Sequence, residues 1–114
     1  MKIVKAINLE DIERLKPVAL QWKKTCNGKA MGIDLVPEVH FTDLAGLIDR
    51  DDADLFVLVN DKEEVIGYMG VDYFNSPLGN QRMAQEHYWY VVPGENRGKG
   101  AMLLVRALRK WAKE

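Results

Sequence analysis

Apolar residues recur along this chain with two different periods, and the points where the period changes mark its elements. Ile3 and Val4 open a short strand. Leu9, Ile12, Leu15, Val18 and Trp22 then follow at helical spacing. They come behind Asn8, a residue suited to cap a helix, with Glu10 and Asp11 in the first turn. Pro17 falls inside that stripe. Its ring clashes with the carbonyl of Glu13 in a regular helix, so a kink or a break into two pieces is expected there. The stretch from Asn27 to Gly32 reads as a loop. Phe41, Leu44, Leu47 and Ile48 form a second helical stripe, with Thr42 as its expected cap.

Beyond an acidic run from Asp49 to Asp54, expected to be a solvated loop, the pattern changes to strands. Leu55 to Val59 is a continuous apolar run of strand length, and Asn60 to Glu63 reads as a hairpin turn. Val65 to Phe74 forms a second strand, in which Gly67 and Gly70 leave room for close packing. Asn75 to Asn80 is a loop by composition, and Glu86 to Val92 is a third strand, rich in aromatics and closed by Pro93-Gly94. Helical spacing resumes at Ala101, Leu104, Val105, Leu108 and Trp111. The order is strand, helix or helices, a meander of three strands, then helix. That is an α+β class, with helices packed on a largely antiparallel sheet.

Composition narrows the picture. The 114 residues, 47% hydrophobic and 29% charged, suit one globular domain. A net charge of −1 gives no reason to expect a nucleic acid or an anionic membrane as partner. No stretch nears the roughly 20 apolar residues of a membrane span, and residues Met1 to Glu10 lead into no apolar core of a secretory leader. Cys26 is the sole cysteine, so no internal disulfide is available, and a cytoplasmic setting is expected.

The candidate chemistry lies between Tyr88 and Arg109, where a strand ends, a polar turn follows and a glycine-rich segment opens a helix. Unpaired backbone N–H groups at a helix start, together with the helix dipole, attract anions. Gly98 and Gly100 leave the main chain open to a phosphate, and Arg97 and Lys99 add positive charge. A Walker loop needs four residues between its glycine and Gly-Lys, but Gly94 to Gly98 encloses three. A dinucleotide fingerprint needs a third glycine at 103, which is Leu. On the glycines alone, a tight turn into a helix is the favoured reading.

The segment Val92-Pro93-Gly94-Glu95-Asn96-Arg97-Gly98-Lys99-Gly100-Ala101-Met102 resembles the coenzyme A motif of the GNAT N-acetyltransferases. In that motif a strand ends near Val-x-Pro and (Gln/Arg)-x-x-Gly-x-(Gly/Ala) opens a long helix. Arg97 takes the first motif position and Gly100 the central glycine. Gly94 stands where the family usually has proline, and Met102 replaces the final small residue. The stretch from Pro77 to Val92 is also similar to acetyltransferases encoded by phages and prophages. The likeness spans nearly the whole chain, with residues 86–111 carrying the motif.

This resemblance implies the acyl-CoA N-acyltransferase (GNAT) fold over residues 1–114. It implies acetyl-CoA as co-substrate, an amine on a small molecule or protein as acceptor, and no metal. Arg97, Gly98, Lys99, Gly100, Ala101 and Met102 would receive the pyrophosphate, and the main chain of Tyr90, Val91 and Val92 the pantetheine arm. Some family members place a catalytic glutamate where Glu86 stands. Even spacing puts Glu86 on the face of Tyr88, Tyr90 and Val92, with His87 on the other. Glu86 reads as a general base or as a solvent-facing strand residue, and Tyr88 or Tyr90 as a proton donor or as packing. His40 reads as structural or exposed. Family members usually continue with further strands and another helix. The likeness therefore covers the family's N-terminal portion and leaves open a non-catalytic module, or a half-site completed in a homodimer.

Overall fold

The computed structural model describes residues 1–25 and 35–114; the expected loop at Asn27 to Gly32, and Cys26, lie outside the described residues. The element order is β1 (Lys2–Lys5), α1 (Leu9–Thr25), α2 (Pro37–Ile48), β2 (Ala53–Val59), β3 (Val65–Asn75), β4 (Arg82–Val91) and α3 (Arg97–Ala112). The strands form one antiparallel sheet in the order β1-β2-β3-β4. This is the α+β order expected from the sequence, with helices packed on an antiparallel sheet.

The sheet is covered on both faces. Leu55, Val57, Val59, Tyr68 and Tyr90 pack with Ile12, Leu15, Val18, Ala19 and Leu44 of α1 and α2. Phe56, Leu58, Met69, Val71 and Val91 pack with Leu104 and Trp111 of α3. Successive side chains of a strand point to opposite faces, so a strand covered on both sides must be apolar at every position. That accounts for the uninterrupted run from Leu55 to Val59. None of the described helices is long and apolar enough to cross a membrane.

Local signals set most boundaries. The Asn8 side chain accepts the Asp11 N–H at 3.0 Å and caps α1, as expected. Asn60 Oδ1 accepts the N–H groups of Lys62 and Glu64, closing the expected turn between β2 and β3. Thr42 is not a cap. Pro37 stands in the first turn of α2, where its missing N–H has no bond to lose, so the helix starts five residues before Thr42. The Thr42 hydroxyl instead donates to the Glu38 carbonyl within the helix. Leu9 also departs from its stripe, being 68% exposed. β4 begins at Arg82, four residues earlier than its apolar pattern shows, because β3 continues to Asn75 and pairs with it.

Pro17 does not break α1, which runs as one helix of 17 residues with Pro17 inside it. Proline removes the N–H that would reach the Glu13 carbonyl, yet Leu15, Val18 and Ala19 are buried on either side of it. The buried face therefore holds the helix together against a local defect. Because Pro17 is exposed, Pro17→Ala should restore the bond without disturbing the core. We expect it to raise stability by roughly 1–3 kcal/mol in chemical denaturation. A loss of stability would show that α1 needs the proline's geometry.

Candidate active site

β4 carries the residues singled out by sequence, and a bulge decides where they point. Gly70 pairs with Tyr88 and Val71 with Glu86, which leaves His87 as the extra residue. Directly opposed residues share a face. Tyr88 therefore lies on the α1/α2 face, where the missing side chain of Gly70 admits its ring; a Cβ on Gly70 would stand 2.3 Å from Tyr88 Cε2. Glu86 shares the other face with Val71, toward α3. Even spacing alone would have put Glu86 beside Tyr88, and the bulge reverses that expectation. His87, expected on the opposite face from Tyr88, turns instead to Asp72 on the Tyr88 face.

Asp72 anchors this bulge. Its buried carboxylate accepts Nε2 of His87 at 2.8 Å, Nε2 of Gln85 at 3.0 Å and Nη2 of Arg50 at 3.1 Å. Burial pushes its pKa up, but the hydrogen bonds from His87, Gln85 and Arg50 outweigh that and hold it below the usual carboxylate value.

Main-chain direction along β4 follows from one bond. Val92 N–H donates to the Ile66 carbonyl at 2.8 Å. In an antiparallel ladder, bonded and non-bonded pairs alternate. Tyr90, opposite Tyr68, thus turns its main chain inward to β3, while Trp89 and Val91 present theirs to the outer edge. Among the described residues no strand pairs with that edge. Of the three positions expected to meet a pantetheine arm, only Val91 has main-chain groups facing outward; those of Tyr90 and Val92 are engaged with β3.

The turn into α3 places open backbone N–H groups beside this edge. Arg97 N–H bonds the Gly94 carbonyl and Gly100 N–H the Asn96 carbonyl. The Asn96 side chain makes no cap and the first turn has no acidic residue, so the N–H groups of Gly98 and Lys99 are open. Those of Ala101 and Met102 fall within the helix ladder. The two glycines do different things. A Cβ on Gly98 would meet nothing within 4 Å, whereas one on Gly100 would stand 2.5 Å from Leu58 Cδ2 and 3.5 Å from Val91 Cγ1. Gly100 seats the helix on the sheet, and Gly98 leaves the main chain open. Gly94, at φ 155°, occupies a conformation closed to proline, whose φ is fixed near −65°. Arg97 lies 5.8 Å from the Tyr90 ring centroid, and the Met102 side chain is 49% exposed.

On the other face of β4 lies a cluster that no sequence pattern marked. Trp22 stacks on Tyr90 at 5.3 Å, and His40 meets Tyr88 edge to face at 4.8 Å. His40 Nε2 is 2.7 Å from the Tyr68 hydroxyl, and the Tyr88 hydroxyl donates to Asp43 Oδ2 at 3.0 Å. Burial lowers the His40 pKa below 6.5, partly opposed by Asp43, so the ring is neutral near pH 7. Burial, followed by Asp43, pushes the Tyr88 phenol well above its ordinary value and keeps it protonated. The buried Tyr90 hydroxyl has no hydrogen-bond partner among the described residues. His40 and Asp43 stand three apart on α2, a spacing visible in the sequence but lacking any motif to distinguish it.

Comparison with known proteins bears on the fold that carries this geometry. The sequence model of the acetyltransferase (GNAT) family matches residues 19–114. No curated protein sequence matches the chain. A probable acetyltransferase superposes with a TM-score of 0.76 at 21% identity, over 99% of this chain and 72% of that one. An aminoglycoside antibiotic 6'-N-acetyltransferase from Acinetobacter haemolyticus gives 0.76 at 16% identity, over 99% and 72%. A ribosomal-protein-alanine N-acetyltransferase from Brucella melitensis gives 0.71 at 20% identity, over 98% and 71%. At such identities these structures speak for the fold alone.

The Asp72 cluster makes a testable claim. Asp72→Ala strands the Arg50, Gln85 and His87 donors, and should lower stability by about 2–3 kcal/mol at pH 7 in urea. The native carboxylate has a depressed pKa, so its contribution is complete above the unfolded value of 3.8 and is lost as pH falls through the folded value. The difference between wild type and variant should therefore shrink on acidification. A variant as stable as wild type at pH 7 would show that the bulge does not depend on Asp72.

Proposed function

Because the chain belongs to the acetyltransferase (GNAT) family, we propose that it transfers an acetyl group from acetyl-CoA to an amine. The observation that carries this reading is the adjacency of two main-chain features. The outward edge of β4 at Trp89 and Val91 lies against the first turn of α3, whose Gly98 and Lys99 N–H groups are open. A pantetheine arm has amides to pair with a strand edge, and a pyrophosphate has the charge to sit at a helix start. Arg97 and Lys99 supply cations there.

The edge also has a candidate proton-transfer group on each face. In the transfer, the amine nitrogen bonds to the thioester carbonyl carbon, the C–S bond breaks, the nitrogen loses a proton and the thiolate gains one. Tyr88 stays protonated and suits the donor to sulfur. Glu86 is exposed on the α3 face and serves as the acceptor of the amine proton. The separation of Glu86 from Tyr88 favours a second reading, a module that binds coenzyme without turning it over.

Two measurements test this. Calorimetric titration with acetyl-CoA should show binding that Gly98→Glu weakens by roughly tenfold or more, because the new carboxylate repels the pyrophosphate at a position with open space. Gly100→Glu is a poor control, since it would strike Leu58. Glu86→Gln should keep coenzyme affinity and lose roughly a hundredfold in kcat. Full turnover in Glu86→Gln would remove the base from that residue, and no coenzyme binding in wild type would defeat the transfer reading.

A further inference from the structure

A hollow of about 340 Å³ opens between the start of α2 and β4, lined by Leu35, Val36, Val39, His40, Asp43 and Tyr88. Its chemistry is one-sided. Among the described residues of the lining Asp43 carries the sole formal charge, and burial lowers the His40 pKa below its ordinary value. One Asp43 oxygen accepts the Tyr88 hydroxyl, and among the described residues Oδ1 has no partner. Lys23 Nζ donates to the Leu35 carbonyl at 2.8 Å, which occupies that main-chain acceptor and leaves Asp43 as the anionic group for an incoming ligand. The remaining wall is apolar and open to solvent, with Val36 47% and Val39 67% exposed.

We propose that this hollow is the acceptor subsite, and that it takes a primary ammonium on an aliphatic chain, with Asp43 holding the ammonium and Leu35, Val36 and Val39 the methylenes. This rests on the acetyl-transfer reading above. The subsite borders the coenzyme edge through Tyr88, which contacts Asp43 and immediately precedes the outward-facing main chain of Trp89. A polyhydroxylated amino sugar fits poorly. Hydroxyls set against Leu35, Val36 and Val39 would stay hydrated from the open side and add no affinity, whereas methylenes there lose contact with water. The amine binds as its ammonium and reacts as the neutral form; Glu86 stands across the sheet from this hollow, so the released proton reaches it around the open β4 edge through solvent.

The test titrates the full chain with n-propylamine, n-butylamine, n-hexylamine and glucosamine by NMR, without coenzyme, and separately with acetyl-CoA by calorimetry. Affinity should rise by about fourfold for each added methylene until the hollow is filled, with glucosamine the weakest. Asp43→Asn should weaken n-hexylamine by roughly tenfold or more and leave acetyl-CoA affinity unchanged. Val39→Ser, at an exposed site, should flatten the chain-length series, and it serves if Asp43→Asn fails to fold. Equal n-hexylamine affinity in wild type and Asp43→Asn, no alkylamine binding, or preference for glucosamine would each overturn the assignment. Because the amine titration needs no coenzyme, its failure is separable from failure of the acetyl-transfer reading, which the acetyl-CoA titration reports.

Discussion

The geometry of β4 depends on the buried carboxylate of Asp72 and the three donors that surround it. A lone carboxylate in that position would be costly to bury. With Arg50, Gln85 and His87 attached it becomes a fixed point instead. Gln85 precedes the bulge and His87 is the extra residue, so two of the three bonds pin the strand where its alternation reverses. Every side chain after that point is assigned to a face by this reversal. Tyr88 goes to the aromatic cluster, and Trp89 and Val91 go to the α3 side.

The same reversal explains how one strand serves two purposes. Its inner main chain is committed to β3 at Tyr88, Tyr90 and Val92, which fixes it in the sheet. Its outer main chain at Trp89 and Val91 carries no such commitment. Side chains on both faces are therefore held by packing while the edge between them stays open. Val91 shows the coupling most directly. Its side chain is buried among Leu58, Met69 and Leu104, and Gly100 lies against it closely enough that a Cβ there would be 3.5 Å from Val91 Cγ1. The start of α3 is thus placed by apolar contacts, and the open Gly98 and Lys99 N–H groups are placed with it.

Much of this was legible in the sequence because it rests on local rules. Asn8 caps α1, Asn60 closes a turn, and the run from Leu55 to Val59 has the unbroken apolarity of a strand covered on both faces. The motif at 97–100 placed the start of α3 because it depends on residues adjacent in the chain. The failures are non-local. A bulge comes from a contact between Asp72 and His87 fifteen residues away, so alternation counted along β4 put Glu86 on the wrong face. Pro17 obeyed the burial of its neighbours rather than its own propensity. His40 and Asp43 gained significance only when α2 was laid against Tyr68 and Tyr88, which no spacing within α2 announces.

The two halves of the site differ in what they ask of sequence. The proposed coenzyme side is built from main-chain groups: a strand edge unpaired among the described residues and two open amides at a helix start. Such groups belong to the backbone, and many side chains can present them, provided a small residue lets the helix approach. The proposed acceptor side is built from side chains. A carboxylate hydrogen-bonded to a tyrosine, a neutral histidine and an aliphatic wall make demands on charge and chain length that the backbone does not make. On the proposed reading, acetyl transfer draws on main-chain groups that the fold supplies, whereas the choice of amine draws on Asp43, Val36 and Val39. A relative with the same main-chain edge and a different lining would be expected to acetylate a different amine.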